Sequence, residues 1–334
     1  MKVIHYENIL DPPLNLAMEE FALRHLDPST DYLMLYVNTP SVIVGRNQNV
    51  YEEVNYRFIR KRNIPVYRRI SGGGAVYHDP GNLNFSFITD YDSKRLNNYT
   101  EFNEPIIQAL NALGIEAYMD DRNAIRTEHY KISGNAQFSA AGRMFSHGTL
   151  LFDADLDCLK RSLRSDITGI QSSAHKSVRS EIINIQELLD ESLELSQFIE
   201  RLKERISINQ SQNLIPLQFG SDDWDKIRQI KKERYEQWDW NFGKSPTFTL
   251  KKRLPFHDGD IELHLEVRKG YINWISIESN FASGPLLHNI ERQLLNTRFT
   301  PEELESNLND GLSFINDEQF SQQFTSLLFY PSSC

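Results

Sequence analysis

The sequence predicts an α/β chain of the α+β kind, with a mixed, largely antiparallel sheet and helices over residues 1–245 and a small α+β domain over residues 246–334. Three observations carry that expectation. Strand-like alternation of apolar residues recurs through the first 150 positions with few helices between, which disfavours a doubly wound parallel sheet. Between residues 155 and 240 the apolar spacing turns mainly helical. Past Gly243 and Pro246, two breakers in NFGKSP, alternation returns in an 89-residue segment, long enough for a domain with its own core.

Taken in order, Lys2–Tyr6 reads as a short strand and NLAMEEFALRHL as a helix with apolar Leu16, Phe21, Ala22 and Leu26. DYLMLYVN and SVIVG are strands separated at Thr39-Pro40, and GRNQN (Gly45–Asn49) ends the second in a polar loop. VNYRFIRKRN reads as a helix whose solvated face carries Arg57, Arg60, Lys61 and Arg62. IPVYRR, entered through Pro65, is a strand closed by Arg68 and Arg69, and LNFSFIT alternates at Leu83, Phe85 and Phe87. FNEPIIQALNALG is a helix stopped by Gly114. IEAYM, HYKISGNAQFS and MFSHGTLLFD read as strands. LDCLKRSLRS, IINIQELLDE, LSQFIERLKERI and DDWDKIRQIKKERYEQWDW read as helices. The last domain reads as strands joined at HDGD and RKG, followed by a helical tail.

Composition narrows the functional classes. The 334 residues are 40% hydrophobic and 25% charged, an ordinary globular balance. No run approaches the length of a membrane span, and the N-terminus lacks the basic-then-apolar pattern of a signal peptide. With only Cys158 and Cys334, no disulfide framework is expected, and a cytoplasmic monomer is the simplest expectation. A formal charge of −10 argues against nucleic-acid binding, which needs a basic footprint.

The chemistry gathers in two blocks. RRISGGGAVYHDPGNLNFSF (residues 68–87) places Arg68 and Arg69 before three consecutive glycines. Each glycine costs roughly 0.5–1 kcal/mol of backbone entropy against alanine, so a plain turn would not need three. Glycine main-chain N–H groups form anion-binding concavities, and forked guanidinium donors suit phosphate and carboxylate. The loop is neither a Walker A motif nor GxGxxG. The second block, YKISGNAQFSAAGRMFSHGTLLFD (residues 130–153), sets Lys131 at a strand start before the Ser133-Gly134-Asn135 bend and the turn His147-Gly148-Thr149. Together the loop, cations and lysine describe a site for a nucleotide phosphate beside a carboxylate, and adenylation followed by acyl transfer is the chemistry they imply.

These blocks, with HKSVRSEIINI, resemble the signature blocks of the lipoate–protein ligase A family, spread over about residues 1–245, and NFGKSPTF with its following strands resembles that family's small C-terminal domain. The resemblance implies the catalytic fold of biotin ligases and class II aminoacyl-tRNA synthetases. It implies ATP and Mg²⁺ as co-substrates, lipoate or octanoate as substrate, and transfer to a lysine of a lipoyl-domain acceptor, the E2 subunits of 2-oxo-acid dehydrogenases or the glycine-cleavage H protein. It assigns Arg69, Ile70, Ser71, Gly72, Gly73, Gly74, Ala75, Val76, Tyr77 and His78, with Lys131, to ATP and the acyl-adenylate. Lipoate falls to Arg69, Lys131, His78, His147, Gly148 and Thr149, and Lys131 is the catalytic group bridging acyl carbonyl and phosphate. Lipoate needs an apolar slot with polar groups only at its carboxylate end, for which Leu16, Val44, Phe85, Phe145 and Leu150 are candidates.

The chain departs from the family at Asp121-Arg122-Asn123-Ala124, where the family commonly shows Gly-Arg-Asn-Asp. The missing carboxylate implies weakened ATP activation unless Asp121 holds the metal instead. Two other readings stand beside the ligase: a lipoyl or octanoyl transferase fed by a carrier or preformed adenylate, and a degenerate lipoyl-domain-binding protein. Cysteine-dependent transferases need a thiol, but Cys158 sits on a helix face that suits a buried, inert side chain.

Overall fold

The computed structural model describes residues 1–211, 213–256, 259–311 and 318–329; His257 and Asp258 of the HDGD turn, and Cys334, lie outside the described residues. The chain divides into two compact units. The first comprises Met1–Arg46, Val66–Lys160 and Ser177–Gln237, and the second Asn47–Pro65, Arg161–Lys176 and Trp238–Cys334.

A six-stranded sheet organises the first unit, in the order Asn135–Ala140, Arg143–Leu151, Asn82–Asp90, Tyr32–Val37, Lys2–His5 and Ile215–Pro216. The first four strands are antiparallel neighbours, and the last three run parallel, so the sheet is mixed and largely antiparallel as expected. Side chains alternate between faces along a strand, so register assigns them. Leu35, Phe85 and Gly148 align across three strands, as do Tyr36, Asn84 and Thr149, and these two rows face opposite ways. Leu33, Leu35, Leu83, Phe85, Phe87, Met144 and Leu150 form one core with Phe102, Ile106 and Leu110 of the helix Tyr99–Asn111 and Phe198, Leu202 and Ile206 of the helix Leu195–Asn209. The helix Pro12–His25 is buried along nearly its whole length and contacts the strands Asn82–Asp90 and Arg143–Leu151.

Two three-stranded sheets complete the unit. One places Ser41–Val44 between Val66–Arg68 and Val76–His78, and the other pairs Tyr118–Met119, Ile125–Arg126 and Lys131–Ser133. Two helical expectations change. IINIQELLDE contains only the 3-10 turn Ile185–Leu188, because Asn184 bonds both main-chain groups of Ala154 and Gln186 donates to Phe152 O. Those long-range bonds hold the segment extended where local periodicity favoured a helix. DDWDKIRQIKKERYEQWDW breaks into Ser221–Ile230, a π-turn Lys231–Tyr235 and Trp238–Asn241, and Tyr235 is held by a hydrogen bond from its hydroxyl to buried Glu20.

In the second unit an antiparallel meander, Phe248–Phe256, Gly259–Arg268 and Tyr271–Ser279, is extended by Ile170–Ser172, a strand inside the stretch read as helical. The helix Tyr56–Arg62 exposes Arg57, Arg60, Lys61 and Arg62 and buries Phe58 and Ile59, with Asn55 capping Phe58 N. A separate core of Leu250, Leu254, Leu263, Leu265 and the helix residues Ile290, Leu304 and Leu328 fills this unit. Among the described residues no helix is long and apolar enough to cross a membrane.

Candidate active site

The tri-glycine loop joins the strand Val66–Arg68 to Val76–His78, and its shape is set by backbone approach. Gly73 adopts φ +84°, a conformation that side-chain-bearing residues rarely take. A Cβ on Gly45 would fall 2.1 Å from the Gly73 carbonyl oxygen, so the loop lies directly against that position. Arg69, 6% exposed, folds under the loop: its Nη2 donates to the carbonyls of Gly72 and Gly74 at 2.5 and 2.8 Å, Nη1 to Ile43 O at 3.1 Å and Nε to Ser71 Oγ at 2.9 Å. Four of its five N–H donors therefore serve the protein. Burial pulls the Arg69 pKa down to about 10, opposed by Tyr36 and Glu19, and it stays charged at neutral pH. Arg68 is wholly buried and donates to the Gly45 and Arg46 carbonyls. Ser177 closes the loop's far end, its Oγ accepting from Ala75 N at 2.9 Å.

Beneath the loop is the sheet face that carries Tyr36, Asn84, Ser86, Phe145, His147 and Thr149. His147 bridges two elements: Nε2 lies 2.8 Å from Ser71 Oγ and Nδ1 lies 2.9 Å from Glu19 Oε1 on the helix Pro12–His25. The carboxylate can only accept, so Nδ1 carries a proton toward it. Gly148 leaves room for Asn135, whose Oδ1 would lie 2.1 Å from a Cβ there, and Asn135 in turn donates to Asn123 O. Thr149 stitches the lysine block to this strand, its N donating to Gly134 O and its Oγ1 accepting from Gly134 N.

Lys131 stands at the end of that stitch, with Nζ 3.4 Å from the Cβ position of Gly134. No ion pair or hydrogen bond reaches its ammonium among the described residues. Burial lowers its pKa, while Asp120 raises it and Arg126 lowers it further. An unpaired, half-buried ammonium is costly in an empty site and favours an anion. The carboxylate that influences it is Asp120, whose Oδ1 accepts from Arg122 N and Ala124 N. Asp121 is exposed and Ala124 buried. Among the described residues the one grouping with metal-ligand spacing is His5, Glu7 and Glu200, on the first strand, its following turn and the helix Leu195–Asn209.

Hydrogen bonds thus link Arg69, Ser71 and His147 beneath the glycine loop, and the strand that carries His147 is tied through Thr149 and Gly134 to the bend that follows Lys131. His78 lies on the strand Val76–His78 that follows the loop, and Arg69 and His147 add to burial in lowering its pKa. Tyr77 points elsewhere, toward Cys158, whose thiol is buried. Of the slot candidates, Phe145 lies on the site face, its ring 4.7 Å from that of His147, and Leu16 lies one helical turn before Glu19. Phe85 and Leu150 do not line the site: register turns both into the opposite core. Val44 is buried in the small sheet. Sequence reasoning missed Glu19, Asn38 and Ser177. The one available signal was polar residues on an otherwise buried helix, at Asn15, Glu19 and Glu20.

Comparison with known proteins follows the same geography. Residues 11–207 match the family model of the lipoyl protein ligase A/B catalytic domain, and residues 245–328 match the bacterial lipoate protein ligase C-terminus. Lipoate-protein ligase LplJ of Bacillus subtilis is 46% identical over 300 residues, covering 90% of this chain and 91% of its own. Lipoate–protein ligase 1 of Staphylococcus aureus is 41% identical over 310 residues, covering 93% and 94%. Among solved structures, a lipoate-protein ligase A bound with ATP superposes with TM-score 0.64 at 25% identity, over 73% of this chain and 98% of that one. A T. acidophilum protein with bound lipoic acid gives TM-score 0.64 at 25% identity, over 72% and 98%.

Proposed function

Because this chain belongs to the lipoyl protein ligase A/B family, we propose that it activates lipoate with ATP to lipoyl-adenylate and passes the lipoyl group to a lysine of an acceptor lipoyl domain. The observation that carries this reading is the unpaired Lys131 ammonium, tied through Gly134 and Thr149 to the strand that underlies the tri-glycine loop. In the first step a carboxylate oxygen of lipoate bonds the α-phosphorus, the bond from phosphorus to the bridging oxygen breaks, and pyrophosphate leaves. Negative charge grows on the phosphoryl oxygens, where Lys131 and main-chain N–H groups of residues 71–74 stabilise it. In the second, the neutral amine of the acceptor lysine bonds the acyl carbon, the bond to AMP breaks, and the amine's proton passes to solvent.

Leu16, Phe138 and Phe145 form the apolar wall for the acyl chain, which octanoate would fit as well as lipoate. The E2 subunits of 2-oxo-acid dehydrogenases and the glycine-cleavage H protein are the acceptors, and a cytoplasmic monomer is the working unit. Mg²⁺ fits as a passenger of the triphosphate. Asp120 is engaged by two main-chain N–H groups and Asp121 is exposed, so the residues around Lys131 offer no metal cage. A thiol-based transferase finds no support, since Cys158 is buried against Tyr77.

The test measures pyrophosphate release from ATP and lipoate beside lipoyl transfer to an apo lipoyl domain followed by mass spectrometry. Both should proceed with the wild-type chain. Transfer from supplied lipoyl-adenylate without any pyrophosphate release would sink the ATP-dependent step and leave a transferase.

A further inference from the structure

Asn15, buried on the helix Pro12–His25, places Nδ2 at 3.2 Å from Ile9 O and 3.0 Å from Val37 O. Backbone carbonyls only accept, so this end of the Asn15 amide is its NH₂. The same nitrogen lies 2.8 Å from Asn38 Oδ1, which must then be the oxygen of that amide. Asn38 therefore turns its own NH₂ toward His78, with Nδ2 2.9 Å from Nδ1. A ring nitrogen facing a donor carries a lone pair, which leaves the proton of neutral His78 on Nε2. Two carbonyls at one end of the chain thus decide the tautomer at the other.

All three residues are buried, His78 to 3% exposure, and its Nε2 has no hydrogen-bond partner among the described residues. Buried donors in folded proteins are nearly always paired. Burial, Arg69 and His147 hold the His78 pKa down to about 3, so the ring remains neutral throughout the physiological range.

We propose that Asn15 and Asn38 are positioning residues that lock His78 as a neutral Nε2–H donor to the acyl carboxylate of the substrate. This rests on the reading of His78 as a lipoate-binding residue. The α-phosphate already has Lys131 and the loop's main-chain donors. His78 shares its surroundings with Arg69 and with His147 on the sheet face beside the Phe145 ring. A neutral donor holds one carboxylate oxygen without neutralising the other, which stays free to attack phosphorus. In the adenylate the held oxygen becomes the acyl carbonyl, and during transfer the same N–H faces the oxyanion that forms there.

Long-range proton–nitrogen correlation spectra of the full chain, labelled with ¹⁵N-histidine, read the tautomer directly, with the His78 signal identified by its loss in His78→Gln. The expected spectrum shows a protonated Nε2 and a bare Nδ1 without ligand. Added lipoate should shift the Nε2 signal, and ATP alone should leave it in place. Asn38→Leu should mix the tautomers and weaken lipoate binding, measured by calorimetry, by about 5–10-fold with ATP affinity unchanged, the size expected for one hydrogen bond. An Nδ1–H tautomer in the wild type overturns the proposal, as does a response to ATP but not to lipoate, or full lipoate affinity in folded Asn38→Leu. The wild-type spectrum decides even if the variant fails to fold. Ligation assayed on the same sample separates the two claims: active ligation with the wrong tautomer sinks only the lock, and the right tautomer without ligation sinks the function.

Discussion

The two faces of the six-stranded sheet are both buried, and they are built for opposite purposes. Leu83, Phe85, Phe87, Met144 and Leu150 face one way into hydrocarbon contributed by two helices. Asn84, Ser86, Phe145, His147 and Thr149, interleaved with them along the same strands, face the glycine loop side. On the first face stability comes from apolar area removed from water. On the second, polar groups are tied to one another across the chain, from Glu19 to His147 to Ser71 to Arg69 and on to the Gly72 and Gly74 carbonyls. The difference teaches how to separate scaffold from chemistry here. Groups that are paired hold the site in shape, and among the described residues Lys131 Nζ and His78 Nε2 lack a partner, as does Ser86 Oγ on the same face; the first two are the groups we assign to substrate.

The sharpest break between the faces should come from Phe85→Ala. Removing a fully buried ring from the core should cost about 3–5 kcal/mol in urea unfolding, while the folded fraction keeps its lipoate affinity. Lost affinity with unchanged stability would mean that the faces are wrongly assigned.

Lys131→Ala should do the reverse. Adenylation should slow by about 10²–10³-fold, or about 2.7–4 kcal/mol of barrier, because the ammonium acts on charge that develops in the transition state. The melting temperature should not fall, since the ammonium has no partner to lose among the described residues. Lys131→Arg should rescue poorly, a planar fork being no replacement for a point charge. Near-wild-type rates in the alanine variant would remove Lys131 from the chemistry.

The neutral His78 should leave a signature in stability against pH. Its folded pKa, about 3, lies below the ordinary histidine value of 6.5, so the unfolded chain takes up the proton first on acidification. Its contribution is complete above pH 6.5 and is lost progressively as pH falls toward 3. Between pH 7 and 5 this amounts to about 2 kcal/mol, which His78→Gln should remove from the pH dependence of the unfolding free energy. Parallel profiles for the two proteins would show that His78 is not held neutral.

The smallest effect belongs to Ala124→Asp. The position is buried and its N–H is held by Asp120, so an added carboxylate meets a like charge already in place. Adenylate formation should rise by less than about tenfold, at most about 1.4 kcal/mol, with transfer from supplied lipoyl-adenylate unchanged. A larger gain would identify the missing carboxylate as the limiting feature of this chain.

Much of this was legible in the linear sequence. Three glycines after two arginines, and a lysine before a small-residue bend, are local signals that marked the candidate site, and the strands were readable from alternation. The reading failed where both faces of a strand are covered. Phe85, Leu150 and Phe145 are equally apolar in sequence, yet parity against Arg143–Leu151 sends the first two into the core and leaves the third beside His147. IINIQELLDE failed for a related reason, since helical spacing was outweighed by bonds from Asn184 and Gln186 to residues about thirty positions away.

By itself the sequence determined that this chain carries a tri-glycine loop beside two arginines and belongs among mixed-sheet folds, because backbone freedom, charge and periodicity are properties of neighbouring residues. Only the tertiary structure decided what each polar group is for. Arg69, read as a ligand for phosphate, spends three donors on its own loop and a fourth on Ile43 O, and Glu19 reaches His147 across 128 positions. Asn38 sets the proton of His78 across 40. A hydrogen bond's partner, and so whether a group is satisfied or left for substrate, is fixed by contacts distant in sequence, which no local pattern encodes.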